Sequence, residues 1–170
     1  MGKSTLFNAI VSELKSHGIA VGGIIAPEVR VSGVRLGFKV VDLMTGEEAW
    51  LARKDVASAI RVGSYGVLVD EASRLVEKAF NYALLSARVI AVDEVGPMEL
   101  KLPVFKPLLL RALDSGKPAV LVVHARLSDA DISLRLRDAE KVVLTIRNRE
   151  FHRRTLPRKV LEIVSSTTQA

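Results

Sequence analysis

The chain contains no cysteine, which excludes a disulfide framework and any cysteine-ligated zinc centre. Aromatic side chains are scarce, with one Trp, two Tyr and five Phe, so the stacking platforms that grip single-stranded nucleic acid are missing. No apolar run reaches membrane-spanning length without a charge. Lys3 leads into an amphipathic segment rather than the continuous apolar core of a secretory signal. These absences point to the cytoplasm. Internal repeats, low-complexity tracts and linkers are also lacking.

What remains is a chain of 170 residues, 49% of them hydrophobic, enough for one domain with a substantial core. The expected organisation is a single domain over residues 1–164 and a polar tail over 165–170. The net charge of +6 is uneven: residues 1–100 carry 11 Lys+Arg against 12 Asp+Glu, and residues 101–170 carry 14 against 7. A basic half can mark a nucleic-acid or polyphosphate partner. Without interleaved aromatics it reads as a solvated surface, and nucleic acid is not an expected partner. A nucleic-acid-binding module is the non-enzyme alternative; it requires binding that weakens steeply with salt.

Periodicity places Leu6, Phe7, Ile10, Val11 and Leu14 on one face of a helix over 4–17, stopped by Gly18. Residues 19–26 read as a buried strand. Residues 34–41 and 47–52 read as a strand pair turning at Thr45-Gly46. A loop and strand over 61–70 and a helix over 70–85 follow. Residues 88–93 (RVIAVD) form a β-branched run of the kind buried on both faces of a parallel sheet. A helix over 104–115, a second buried strand over 119–124, a short helix over 129–137, a third strand over 141–146 and a last helix over 156–164 complete the series. The basic segment 147–154 (RNREFHRR) reads as a loop. Strands alternating with helices predict an α/β fold, a three-layer arrangement around a mostly parallel, doubly wound sheet.

The chemistry begins at Gly2-Lys3-Ser4-Thr5. A phosphate loop of the type G-x-x-x-x-G-K-[ST] sits between a strand and a helix, and its amides and helix N-terminus surround phosphates. Its lysine neutralises the β- and γ-phosphates, and the following hydroxyl ligates magnesium. Here the second half of the motif runs directly into an amphipathic helix. Alone it could equally be a polar helix start with Ser4 or Thr5 as cap. Asp93-Glu94, at the end of the best buried strand, changes the weighting, because ligands of open α/β sheets bind outside the carboxyl ends of the strands. Asp93 can hold magnesium, usually through water. Glu94 should point elsewhere by strand alternation and can orient or deprotonate the attacking water. His124 ends the neighbouring strand; it either senses the γ-phosphate or attacking water, or is simply satisfied there.

At these residues the chain resembles the THEP-type nucleoside-triphosphatases, a P-loop family whose vertebrate member is the cancer-related nucleoside-triphosphatase. GKSTL (2–6), residues 22–47, RVGSYGV (61–67), DEVGPMEL (93–100) and RNRE (147–150) carry the likeness. It implies a kinase-like P-loop fold and magnesium-dependent hydrolysis of ATP, GTP, CTP and UTP to NDP and phosphate. Gly2, Lys3, Ser4 and Thr5 match the second half of Walker A, with Ser4 and Asp93 on the metal and Lys3 and Glu94 catalytic. Arg30, expected to face the cleft, either stabilises developing phosphate charge or is a surface arginine. Asn148 falls where related folds often contact the base, and its amide can hydrogen-bond a base edge. A monomer is expected, with no membrane partner. The enzyme alternative is a nucleoside or nucleotide kinase, for which 147–154 is the sole candidate lid.

One departure shapes a further expectation. The family begins with a strand and G-x-x-G-x-G-K-[ST], whereas here Met1 stands immediately before Gly2. Met1 is therefore read as the variable residue before the last glycine. A first strand would be missing from beside the Asp93 strand, leaving unpaired ladder groups and a chain that binds NTP poorly or is much less stable than one with that strand.

Overall fold

A computed structural model describes residues 2–167. The chain order is α1 (Lys3–Ser16), β1 (Val21–Ile25), β2 (Glu28–Val31), β3 (Val34–Asp42), β4 (Glu48–Arg53), β5 (Arg61–Val62), β6 (Tyr65–Val67), α2 (Val69–Ser86), β7 (Val89–Val95), α3 (Pro97–Leu100), α4 (Phe105–Asp114), β8 (Ala119–Val123), α5 (Ala130–Arg135) and α6 (Arg149–Ser166). No helix among the described residues is long and apolar enough to cross a membrane.

The strands form one sheet in the order β5-β6-β4-β3-β1-β7-β8, with β2 also paired to β3. Side chains along β7 alternate between two apolar cores. Ile90 and Val92 join Phe80 of α2 and Phe105 and Leu109 of α4 on one face. Val89 and Ala91 join Leu6, Phe7, Ile10 and Leu14 of α1 and Val164 of α6 on the other. The result is helices on both faces of a sheet. Phe80 and Phe105 meet edge to face with centroids 6.1 Å apart. Side chains as fully buried as Phe7, Leu14 and Phe105 each contribute roughly 1.5–3 kcal/mol relative to exposure.

The expected sheet needs correction in four places. Only β1, β7 and β8 run parallel; β1–β3, β3–β4, β4–β6, β5–β6 and β2–β3 are antiparallel. The reason lies in the connections. Parallel neighbours need a crossover of a dozen or more residues. Helix-bearing crossovers supply this around β7, whereas short turns such as Ser32-Gly33 allow only hairpins. Second, β8 is an edge strand with only Val122 buried, not a strand covered on both faces.

Third, residues 141–146 form no strand. Their β-branched composition favours a sheet only where a partner ladder exists. Here Asn148 uses its amide on them instead: its Oδ1 accepts from Thr145 N–H (2.8 Å) and its Nδ2 donates to the Val143 carbonyl (2.9 Å). Fourth, residues 149–154 are not a loop but the opening turns of α6, which continues through Pro157.

The expected gap beside the Asp93 strand is absent as well. β7 pairs in parallel with β1 from Val21↔Val89 to Ile25↔Asp93 and with β8 from Ile90↔Ala119 onward. Its ladder is occupied on both sides, so the anticipated unpaired groups do not arise. Of the expected polar tail, Ser165 and Ser166 belong to α6. Residues 168–170, like Met1, lie outside the described residues.

Candidate active site

The first turn of α1 points at the carboxyl end of β7. Gly2 caps α1 in the left-handed region (φ +83) and its carbonyl accepts from Leu6 N–H at 3.0 Å. A glycine adopts that conformation without the strain a Cβ would add. The apolar face of α1 against β7 orients the helix, and the orientation sets Lys3 and Ser4 over the strand end. The Ser4 hydroxyl donates to the Asp93 carboxylate. Lys3 Nζ lies 3.7 Å from Glu94 Oε2. Both groups are partly exposed, where an ion pair is worth about 1 kcal/mol or less, so the ammonium remains available to an incoming anion.

Ser4, Asp93, Glu94, Glu99 and His124 line one cleft of about 290 Å³. Asp93 and Glu94 both face α1, contrary to the alternation expected of a regular strand. The β7–β8 ladder slips between Asp93 and Val95, and such an irregularity re-aims side chains. Gly96 leaves the space into which Glu94 folds: a Cβ there would stand 2.7 Å from Glu94 Oε1. Burial pushes the Asp93 carboxyl above its ordinary range. The Ser4 hydrogen bond pulls it back, the Glu94 charge adds to the rise, and Lys3 opposes it. His124 follows β8. Its N–H donates to the Val95 carbonyl (3.0 Å), and its Nδ1 accepts from Arg126 N–H (3.2 Å).

Not every expected residue reaches this cleft. Thr5 is exposed on α1 beyond Ser4. Arg30 stands on the β2–β3 hairpin, where Nε donates to Glu28 Oε1 (2.7 Å) and a terminal nitrogen to the Gly33 carbonyl (2.9 Å). It does not line the cleft. Asn148 holds the 143–145 backbone, as described above.

Glu99 is the residue that sequence reading passed over. It is 6% exposed, and its carboxyl is pushed up to about 8, chiefly by burial, with the Glu94 and Asp93 charges adding to the rise. Backbone hydrogen bonds from its own amide and that of Glu94 oppose that rise. The available signal was a lone acid inside the otherwise apolar VGPMEL.

A magnesium ion would find hard oxygen donors here. Among the described residues no cluster of three or more His, Cys, Asp or Glu forms a complete metal cage. Magnesium in phosphate sites needs none, since it keeps waters and takes one or two protein oxygens plus substrate phosphates. The hydrogen-bonded Ser4–Asp93 pair fits that donor set.

A helix N-terminus bearing Gly-Lys-Ser, set against an acid pair at the end of a parallel strand, defines the P-loop nucleoside triphosphatases. The chain belongs to the NTPase family, whose model, described as NTPase, matches residues 1–161. That match begins at the first residue and lends no support to a lost opening strand, nor to the inactivity inferred from one. The nucleoside-triphosphatase THEP1 of Thermofilum pendens is 39% identical over 97% of this chain and 92% of its own. That of Hyperthermus butylicus is 43% identical over 96% and 86%. The crystal structure of THEP1 from Aquifex aeolicus superposes with a TM-score of 0.77 at 26% identity, covering 96% of this chain and 93% of its own. The solution structure of a human cancer-related nucleoside triphosphatase gives 0.74 at 26% identity, covering 100% and 93%.

Proposed function

We propose that this protein hydrolyses nucleoside triphosphates to the diphosphate and phosphate in a magnesium-dependent reaction, accepting ATP, GTP, CTP and UTP. The observation that carries the reading is the meeting of Lys3 and Ser4 with Asp93 and Glu94 at the N-terminus of α1. The unclaimed first amides of α1 and its dipole favour the phosphate chain. Lys3 turns from Glu94 to the β- and γ-phosphates as substrate enters. Ser4 and Asp93 would hold magnesium, which draws charge from the phosphate oxygens. Glu94, released by Lys3, accepts a proton from the attacking water. His124 lines the same cleft, which supports a hydrogen bond from it to that water or the γ-phosphate.

Phosphate release from each of the four triphosphates, with and without magnesium, tests the reading on the parent chain, Lys3→Ala and Glu94→Gln. Lys3→Ala is expected to weaken triphosphate binding roughly 10–100-fold, the cost of one charge-assisted contact. Glu94→Gln is expected to retain binding and lower turnover by about 10²–10⁴, the usual contribution of a positioned general base. Parent-level hydrolysis in both variants would overturn the site assignment. Consumption of ATP only when a nucleoside is supplied would favour a kinase.

A further inference from the structure

We propose that Arg149 is a further catalytic residue, whose guanidinium stabilises the charge that develops on the departing nucleoside diphosphate. The inference rests on the hydrolase reading above and adds a group from the opposite end of the chain.

Arg149 is the first residue of α6. Helices α1 and α6 pack together on one face of the sheet, sharing a core through Leu6, Phe7 and Val164. At Gly2 the two helix starts meet: the Arg149 Cδ lies 3.9 Å from the point where a Gly2 Cβ would stand. Gly2 caps the helix that presents Lys3 and Ser4. The stem of Arg149 therefore lies beside the phosphate-binding turn.

Position distinguishes Arg149 from an ordinary surface arginine. Like several other surface arginines, Arg149 makes no side-chain hydrogen bond or ion pair among the described residues, but it alone of these stands over Gly2. A cation in the first turn of a helix opposes the helix dipole. Here two helix N-termini, Lys3 and Arg149 place positive charge in one region. The carboxylates in the same region are Glu94, paired with Lys3, Asp93, which Lys3 also attracts, and Glu150 in the first turn of α6. None of these forms an ion pair with the Arg149 guanidinium, which remains available to an incoming triphosphate.

The chemistry specifies where the guanidinium counts. The water oxygen bonds to the γ-phosphorus while the bond from that phosphorus to the β–γ bridging oxygen breaks. The bond's electron pair passes to the bridging oxygen, which leaves as a terminal oxygen of the diphosphate. The water proton passes to Glu94 and then to solvent. Negative charge grows on the leaving oxygen, and a planar fork of donors from Arg149 can share it with Lys3.

Steady-state phosphate release from ATP, measured on the full chain, tests this with Arg149→Ala, Arg149→Lys and Arg149→Gln. The Lys and Gln variants keep a stem over Gly2 and so control for packing. Arg149→Ala is expected to lose about 10²–10³ in kcat, the cost of removing one transition-state donor, with KM changed by less than about threefold. Arg149→Lys should recover part of that loss, and added guanidinium ion should partly rescue Arg149→Ala but not the parent. An unchanged kcat in Arg149→Ala, a loss confined to KM, or a loss with no response to guanidinium overturns the proposal. An inactive parent chain instead overturns the hydrolase reading beneath it. An active parent with equally active Arg149 variants overturns the arginine alone.

Discussion

The Ser4 hydroxyl donates a hydrogen bond to the Asp93 carboxylate, joining the first turn of α1 to the end of β7. The bond gives the Asp93 carboxylate its main compensation for burial and sets the two oxygens side by side. Ser4→Ala is expected to raise the magnesium concentration needed for half-maximal hydrolysis about 10–100-fold, the usual effect of removing a metal-site partner. A magnesium titration of phosphate release reads this directly. An unaltered midpoint would place the metal elsewhere.

Glu99 makes stability depend on pH. Its carboxyl sits at about 8 in the fold against an ordinary 4.5, so the folded state holds a proton that the unfolded chain has released. The sign follows from linkage: this contribution is fully present below 4.5 and is lost as pH rises through about 8. Within that window the parent is expected to lose about 1.4 kcal/mol per pH unit from this group. The charges facing it are Glu94 and Asp93. Glu99→Gln keeps the shape and removes the titration, so its stability should fall less steeply. Denaturant unfolding of both proteins at the two ends of the window makes the comparison; parallel slopes would exclude Glu99 as the source.

Gly23 sits in β1 at φ +127, and a Cβ there would stand 2.0 Å from the Ala91 carbonyl oxygen. Both strands are internal to the sheet, each paired on both sides, so neither backbone can withdraw freely. Gly23→Ala is expected to cost roughly 3–5 kcal/mol, in the range that marks backbone strain and core disruption together. The denaturant midpoint should drop sharply, and a shift of under about 1 kcal/mol would show that β1 and β7 can separate.

Asn148 holds the turn before α6 with three hydrogen bonds to residues 143 and 145; the two made by its side chain are lost on substitution. Asn148→Ala is expected to lower stability by about 0.5–1.5 kcal/mol, the net worth of hydrogen bonds at an exposed turn where water replaces the lost partner. The order of preference among ATP, GTP, CTP and UTP should not change. A variant of parental stability with altered base preference would return Asn148 to the nucleotide.

Much of this arrangement was legible in residue order. The apolar stripe of α1, the β-branched run of β7 and the Gly46 turn reflect local periodicity and turn chemistry, and each element stands within a few residues of its expected limits. Lys3, Ser4, Asp93 and Glu94 were legible as a pair of motifs, because strand-end acids and helix-start hydroxyls have recognisable neighbours. Residues 141–146 were not, since strand formation depends on a partner edge that composition does not reveal. Arg30 was misplaced in space because its position in a hairpin, beside Glu28, depends on the β2–β3 pairing. Glu99 escaped notice because nothing in the order of residues announces that a short helix will turn its carboxyl inward.

The sequence by itself determined which segments bury an apolar face and which residue types can bind phosphate, because both follow from side-chain chemistry and short-range spacing. The tertiary structure alone decided which strands run parallel, that Glu94 turns toward Lys3 rather than away, and that Arg149 meets Gly2. Those outcomes depend on the packing of α1 and α6 against one face of a twisted sheet and on a register slip in β7, and no local pattern encodes either.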